Sequence, residues 1–304
     1  PAQWINTVEC EIGGQTIDRQ TGAWMEAWAE LTEPDGINSR SRFKNMSAMG
    51  GLNVGGLPSF TDTSSRIHVP LRFWFCENPG LALPLIALQY HEVKIVLDCN
   101  KLYHNNVAEV TVKSTFADAE LWADYIYLDT DERRRFAQVS HEYLITQIQY
   151  QDFINSKTPS TSTSTLTFNH PVKELIWTGT VPLLDSTNYV EATFNTPLTG
   201  NFQLKLNGHD RFAARDATYF TRQQVWQYHS GPGGLSSQSS PNDSIAVYSF
   251  ALKPEEHQPS GTCNFSRIDN AQLIGGITTG LTVYAVNYNV LRIMSGMGGL
   301  AYSN

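Results

Sequence analysis

The chain has 304 residues, of which 41% are hydrophobic and 16% are charged, and this composition excludes a disordered chain. Its length suits one large β domain or two ordinary domains. The net charge of -8 and the isoelectric point near 5.5 argue against a nucleic-acid-binding protein, because such proteins typically present a basic surface.

The first elements along the chain are a strand and a helix. Residues 8–14, VECEIGG, alternate apolar and polar side chains, which predicts a half-buried strand. From Thr21 to Leu31 the side chains of Trp24 and Trp28 recur at helical spacing, which predicts a helix. The opening residues lack the charged and apolar regions of a signal peptide, so none is expected.

The apolar stretch 73–93 raises the question of a membrane helix. A spanning helix needs about 20 mostly apolar residues without a break. This stretch contains Glu77, the turn sequence NPG and Pro84, which interrupt such a helix. Alternation on either side predicts strands at 67–75 and 93–97. We therefore expect strand, turn, short apolar helical segment and strand, with no membrane span.

Further strands are predicted along the rest of the chain, and turn residues separate nearly all of them. Their sequences are EVTVKSTF, LWADYIYLD, EYLITQIQY, STLTFNH, KELIWTGTV, YVEATFN, FQLKLNG, SIAVYSFAL, TCNFSRID and LTVYAVNYNVLRIM. Many short strands with Gly and Pro turns predict an all-β fold of antiparallel sandwiches.

The order of these features repeats along the chain. CEIGGQTID is echoed by LKLNGHDRF, and VPLRFWFCENPG is echoed by VYSFALKPEEHQPSG. The echo predicts two copies of one β unit, residues 1–129 and 143–304. A linker with a short helical turn is expected at 130–142, where acidic residues precede three arginines. The second copy begins with two strand regions that the first lacks, so the first is expected to be incomplete at its N-terminus.

Two stretches are predicted to be long loops at the ends of strands, because they are rich in Gly, Ser and Asn. They are Glu33–Ser65 and His229–Asp243. The composition of the first loop suits exposure, so we expect it to face outward or toward a neighbouring chain.

No catalytic or metal-binding pattern is found. His91-Glu92 and His141-Glu142 begin as zinc-protease motifs do, but neither has the second histidine of HExxH. No HxH pair of the kind that cupin metal sites use is present, and neither GxSxG nor a phosphate-binding glycine motif occurs. We therefore predict no catalytic residue, no metal ligand and no cofactor, and we expect the protein not to be an enzyme.

Cysteine and asparagine patterns give little support for modification. The four cysteines, Cys10, Cys76, Cys99 and Cys263, form no CxxC pair, so free thiols are expected. Three Asn-x-Ser/Thr triplets begin at Asn45, Asn242 and Asn264. Asn45 and Asn242 lie in predicted loops and are the glycosylation candidates, whereas Asn264 lies in a predicted strand and is a poor acceptor.

Five long segments resemble the major capsid proteins of large icosahedral double-stranded DNA viruses, in particular the chlorovirus and mimivirus-like group. They are NPGLALPLIALQYHEVKI, FNHPVKELIW, LNGHDRFAARDATYF, YSFALKPEEHQPSGTCNFSRIDNAQL and YNVLRIMSGMGGLAYSN. The segments run in family order and reach the last residue, so the resemblance covers essentially the whole chain.

This resemblance implies two consecutive eight-stranded jelly rolls, a double jelly roll, and a structural role without a cofactor. It implies a homotrimer, a pseudo-hexagonal block that tiles an icosahedral virion shell beside neighbouring capsomers. It also implies minor capsid proteins as partners on the inner face, synthesis in the host cytoplasm, and no sequence-specific nucleic acid binding. Family members carry further N-terminal sequence for the first strands of the first jelly roll.

The C-terminal segment LRIMSGMGGLAYSN is expected to dock the end of the chain in the trimer. Leu291 and Ile293 end a strand, and Gly296, Gly298 and Gly299 allow backbones to pack closely. Two other functions are compatible with an all-β sandwich. A jelly-roll lectin that holds sugars on aromatic faces is the alternative, and a metal-dependent cupin-type enzyme is disfavoured by the missing HxH pair.

Overall fold

The computed structural model describes residues 5–33, 42–47, 68–99, 120–153, 162–180, 197–234, 236–237, 240–241, 243–275 and 280–302. Strands dominate these ranges and pair antiparallel. The strands are β1 Ile5–Ile12, β2 Gln15–Thr21, β3 Val93–Cys99, β4 His141–Phe153, β5 Ser162–Leu166, β6 Pro171–Thr180, β7 Asn201–Leu206, β8 His209–Asp216, β9 Ser236–Ser237, β10 Ser240–Pro241, β11 Ile245–Ser249, β12 Cys263–Asn264, β13 Ala271–Gly275, β14 Gly280–Met294 and β15 Met297–Leu300.

Helices in these ranges are short. They are α1 Gly22–Thr32, α2 Arg42–Ser47, α3 Trp74–Glu77, α4 Thr130–Gln138 and α5 Gln224–Tyr228, with 3-10 turns at Pro79–Leu81 and Phe265–Arg267 and a π-helical turn at Tyr219–Gln223. The part of the chain that the structure describes holds no helix of the length and apolar character that a membrane span requires.

The predicted N-terminal helix is confirmed as α1. The Thr21 hydroxyl accepts a hydrogen bond from the backbone N–H of Trp24 and so caps the first turn. Trp24, Trp28 and Leu31 are buried, as the helical spacing predicted. Because α1 is covered on nearly all sides, it forms part of the core rather than a surface layer.

Three hairpins turn on two residues with positive φ, the geometry that suits the twist of paired strands. Gly13-Gly14 joins β1 to β2, Asn207-Gly208 joins β7 to β8, and Ser295-Gly296 joins β14 to β15. The first two turns lie in the two segments that echo each other in the sequence, CEIGGQTID and LKLNGHDRF. The polar stretches that follow them are the return strands β2 and β8, which the sequence pattern did not predict.

The strands form three main sheets. A three-stranded sheet has the order β2-β1-β3, and a four-stranded sheet has the order β5-β13-β7-β8. The six-stranded sheet is centred on β14, which pairs with β4 on one side and with β6 and β15 on the other. Strands β11 and β12 pair with the far side of β6.

The six-stranded sheet is buried on both faces. On β6, Leu175 and Trp177 belong to the core shared with the four-stranded sheet, whereas Ile176 between them belongs to a second core. On β14, Val283 and Tyr284 divide in the same way. Successive side chains of a strand point to opposite faces. This sheet is therefore the middle layer between the four-stranded sheet and the N-terminal part of the chain.

Two predicted strands are wrong within the described residues. Residues 68–73 are irregular and lead into α3, because Pro70 lacks the backbone donor that a ladder needs. The segment 121–129 forms no strand, and its backbone makes no hydrogen bond along 121–128 to the described chain. An alternating sequence becomes a strand only where another strand supplies the hydrogen bonds.

The all-β double jelly-roll fold is confirmed, and so is the predicted strand at 93–97, which is β3. Helix α4 lies in the stretch predicted as a linker with a helical turn. The division into residues 1–129, 130–142 and 143–304 stays a prediction, and so does the absence of N-terminal strands from the first unit. The predicted strands at 109–116 and 189–195 lie outside the described residues.

Candidate assembly surfaces

The structure brings the five predicted docking residues together in the β14–β15 hairpin. Leu291 and Ile293 are fully buried and pair with Leu300 and Gly298 across the hairpin. Ser295 and Gly296 supply the positive φ values of the turn.

The glycines of this hairpin lie against the N-terminal part of the same chain. A Cβ atom on Gly298 would lie 2.7 Å from Cδ2 of Leu88 and 3.2 Å from Cγ2 of Ile12. The backbone N–H of Gly298 donates to Nδ1 of His91 at 3.1 Å, and that of Tyr90 donates to the carbonyl of Gly296 at 3.0 Å. The hairpin therefore closes the fold of its own chain. That it docks the end of the chain in a trimer stays a prediction.

The tip of this hairpin is apolar and exposed. Met294 and Met297 are about half exposed, and Tyr90 beside them is largely exposed. A contiguous apolar surface of this kind is typical of a contact with another protein.

A second exposed apolar surface is the segment 121–127, which we call the aromatic ribbon. Its large side chains stand in solvent, with Trp122 at 83% and Tyr127 at 93% exposure. Leu121, Tyr125 and Ile126 are also more than half exposed. Large aromatic side chains are enriched where proteins meet and are costly to leave in water.

Helix α4 follows the ribbon and carries charges that complement its dipole. Asp131 and Glu132 lie in its first turn and Arg135 in its last. None of its residues is buried. This arrangement agrees with the helical turn predicted from acidic residues that precede three arginines.

Hydrogen bonds join the N-terminal part to β4. The backbone N–H of Ile148 donates to Asp18 at 3.1 Å, and the side-chain amide of Gln147 donates to the carbonyl of Ile17. Burial raises the pKa of Asp18 to about 7, although the hydrogen bonds from Ile148, Gln20 and Arg19 oppose the shift.

The candidate modification sites are only partly described. Asn45 lies in α2, and Asn242 lies outside the described residues. The Asn264 side chain accepts a hydrogen bond from the backbone N–H of Ser266, which ties it to the 3-10 turn that follows.

The two histidines that begin HE pairs have structural partners. His91 binds the hairpin backbone, and Nε2 of His141 lies 2.8 Å from the carbonyl oxygen of Phe136. Among the described residues no group of three or more His, Cys, Asp or Glu side chains could hold a metal ion. A cavity of about 10 Å³ beside Trp28, Arg72 and Lys173 has room for roughly one water molecule.

Sequence reasoning missed one cluster of interacting titratable side chains. His229 lies between Glu174 and Glu255, with each of its ring nitrogens within hydrogen-bond distance of one carboxylate. The available signal was the pair Lys173-Glu174, two charges inside the apolar strand PVKELIWTGT. Charges at such positions are rarely buried without partners.

Comparisons with known protein families match nearly the whole length of the chain. Residues 132–299 match the family described as large eukaryotic DNA virus major capsid protein. Residues 2–129 match the family described as major capsid protein N-terminus.

Individual relatives agree with these families. A major capsid protein of Pyramimonas orientalis virus is 47% identical over 320 residues, which cover 99% of this chain and 76% of the relative. A major capsid protein of Paramecium bursaria Chlorella virus 1 is 38% identical over 364 residues, with 99% and 79% covered.

Solved structures show the same fold. The capsid of PBCV-1 virus contains a chain that is 34% identical, with a TM-score of 0.77, and the match covers 100% of this chain and 84% of that one. The Faustovirus major capsid protein matches with a TM-score of 0.59 at 14% identity, over 96% of this chain and 72% of that one, which shows a common fold alone. The chain therefore belongs to the family of major capsid proteins of large eukaryotic DNA viruses, the structural proteins of the virion capsid.

Proposed function

We propose that three copies of this chain form a pseudo-hexagonal block, and that such blocks tile an icosahedral shell. The observation that carries the proposal is the similarity to a chain of the PBCV-1 virus capsid over the whole length of this chain, at 34% identity and a TM-score of 0.77. A pseudo-hexagonal block presents repeated, nearly equivalent edges, so one chain can cover a large closed surface.

The layered fold suits such a tile. A sheet covered on both faces resists bending, because side chains on each face interlock with another layer. The aromatic ribbon and the hairpin tip expose apolar side chains that permanent assemblies commonly bury. These surfaces support contacts with other copies of the chain.

The remaining parts of the proposal rest on family membership. Neighbouring capsomers and minor capsid proteins on the inner face are the expected partners, and synthesis takes place in the host cytoplasm. The units are residues 1–129 and 143–304, joined at 130–142. Of the loop Glu33–Ser65, the structure describes only Glu33 and residues 42–47. That this loop faces outward or toward a neighbouring chain therefore stays a prediction.

Light scattering coupled to size-exclusion chromatography tests the trimer. We expect a mass three times the 34.0 kDa of one chain, unchanged by a metal chelator. A variant with Trp122→Ser and Tyr127→Ser should form fewer trimers, because it loses the most exposed side chains of the ribbon. Trp226→Ser, which removes a tryptophan that is 81% exposed on α5, is the matched control and should behave as the unmodified chain does.

The same measurement separates the proposal from the lectin alternative. A chain that stays monomeric over the whole concentration range and binds glycans on an array would support the lectin and contradict the tile. A trimer that does not bind glycans would support the structural function and contradict the lectin.

A further inference from the structure

A short segment after α5, residues 229–233, caps the C-terminal end of α1. The backbone N–H of Gly231 donates to the carbonyl of Leu31 at 2.7 Å, and that of Gly233 donates to the carbonyl of Glu30 at 3.0 Å. The Ser230 hydroxyl donates to the carbonyl of Thr32 at 2.8 Å. The last carbonyls of a helix have no partner within the helix, so this segment supplies what α1 lacks.

His229 holds this segment in place through two carboxylates. Its Nε2 lies 3.0 Å from Oε2 of Glu174 on β6, and its Nδ1 lies 3.1 Å from Oε1 of Glu255 in the turn after β11. The side chains of His229 and Glu174 are fully buried. Ser230 adds its backbone N–H to the same Glu255 oxygen at 2.9 Å.

This geometry suits a doubly protonated imidazole. A neutral imidazole carries one N–H, whereas an ionised carboxylate only accepts hydrogen bonds. Neutral His229 would therefore point a lone pair at one of the two carboxylates inside the protein. The imidazolium form donates to both, and it places a positive charge beside the C-terminal end of α1, where the helix dipole favours it.

The surrounding charges agree with this assignment. Burial alone would lower the pKa of His229, but Glu174 and Glu255 outweigh it and raise the pKa to about 9. Further titratable groups on the elements packed around the cluster include Lys173 on β6, Glu77 on α3, His257 in the turn after β11 and Tyr288 on β14. Helix α1 adds Glu26 and Glu30, α5 adds Tyr228, and the turn after β11 adds the exposed pair Lys253 and Glu256. Burial lowers the pKa of Lys173 against the opposing effect of the three nearby glutamates.

We propose that His229, Glu174 and Glu255 form a pH-responsive clamp that fastens α1 to the C-terminal part of the chain and loosens in alkaline solution. The cluster lies where the segment 229–233 contacts α1, so its charge state controls how firmly the two parts are held together. The clamp is a property of the single chain and does not depend on the trimer.

The direction of the pH effect follows from the sign of each shift. The pKa of His229 is higher in the folded chain than its ordinary value of 6.5. Its contribution to stability is therefore complete below pH 6.5 and is lost as the pH rises through about 9. The pKa of Glu255 is lowered, because the hydrogen bonds from His229 and Ser230 outweigh burial. Its contribution is lost only in acid.

The test compares hydrogen exchange of α1 in the full chain between pH 6 and pH 9.5, corrected for the intrinsic pH dependence of exchange. For the unmodified chain we expect the protection of 28–33 to fall at least tenfold across this range, and Tm to fall with it. In His229→Gln, which keeps a hydrogen-bonding amide but cannot carry the charge, the protection should be lower at pH 6 and should fall clearly less than in the unmodified chain, because only the contribution of His229 is removed and Asp18 and Lys173 still titrate. His209→Gln, at an exposed position on β8, is the control and should follow the unmodified chain.

A second variant keeps the test decisive if His229→Gln does not fold. Glu255→Gln leaves His229 with one carboxylate, so the loss of protection should begin at a lower pH than in the unmodified chain. The proposal is overturned if the unmodified chain keeps its α1 protection up to pH 9.5. It is also overturned if the variant that folds loses protection in parallel with the unmodified chain.

Discussion

At the scale of single residues, Gly231 shows how closely two backbones approach in this fold. A Cβ atom at this position would lie 2.6 Å from both the carbonyl carbon and the carbonyl oxygen of Leu31, and it would also meet the carbonyl oxygen of Glu30. These are backbone atoms at the end of α1 and cannot rotate away. The glycine is therefore required for space at the contact that the clamp holds closed.

We expect Gly231→Ala to lower the free energy of unfolding by about 1–3 kcal/mol, because the added methyl group overpacks a rigid contact. Urea denaturation measures the change. Gly80→Ala is the matched control, since its Cβ would meet only the Asn78 side chain at 3.3 Å. Equal stabilities of the two variants would contradict the close contact.

The buried histidine and the exposed aromatic residues illustrate different limits of sequence reasoning at this scale. His229 was predicted to begin a loop, and the pairing of its two ring nitrogens depends on residues 26 and 55 positions away along the chain. A local sequence pattern cannot predict a contact between residues so far apart along the chain. Trp122 and Tyr127 lie in a stretch that was predicted to be a strand, yet they are exposed because no described strand lies beside them.

At the scale of elements, the six-stranded sheet departs from the usual amphipathic strand. Leu175 and Ile176 are neighbours on β6, and both are fully buried because they point into different cores. The run of consecutive apolar residues in KELIWTGTV and SIAVYSFAL is the signal of a strand covered on both faces.

We expect Leu175→Ala and Ile176→Ala each to lower the free energy of unfolding by about 2–5 kcal/mol, since each leaves a cavity in its own core. Leu97→Ala on β3 is the control, because that side chain is about half exposed, and it should change stability by roughly 0.5 kcal/mol or less. Chemical denaturation of the three variants measures the difference. If either β6 variant had the same free energy of unfolding as the unmodified chain, the face of the sheet that carries that residue would not be buried.

At the scale of the whole molecule, the N-terminal and C-terminal parts share a core. Side chains of β1 and α1 pack in one cluster with Ile145, Val286 and Leu291 of the six-stranded sheet. The β14–β15 hairpin completes this cluster through Leu88 and Ile12. Residues of the β14–β15 hairpin therefore contribute to the stability of the N-terminal part of the fold.

We expect removal of residues 295–304 to abolish trimers and to lower Tm, because the deletion uncovers Ile12 and Leu88 and removes β15, one of the two strands that pair with the end of β14. Light scattering and thermal unfolding measure the two effects. Tyr302→Ser is the control, since only the backbone carbonyl of Tyr302 contacts Asn289 and the side chain is largely exposed. Intact trimers after the deletion would contradict a role of this segment in assembly.

The amino-acid sequence by itself determined the fold class, the helix α1, most of the strands and the turns at Gly13-Gly14 and Asn207-Gly208. These features follow from local chemistry: the two-residue and helical periods, and residues such as the Asn207-Gly208 pair that accept positive φ. The long family motifs determined the structural role in the capsid, because they cover segments from both parts of the chain.

Only the tertiary structure decided which strands pair, which sheet is buried on both faces and which charges meet inside the protein. The return strands β2 and β8 are polar, and tertiary pairing rather than pattern makes them strands. His229, Glu174 and Glu255 meet because three separate elements converge on the end of α1. Contacts between residues far apart along the chain depend on how the layers stack, and a local sequence pattern does not contain that information.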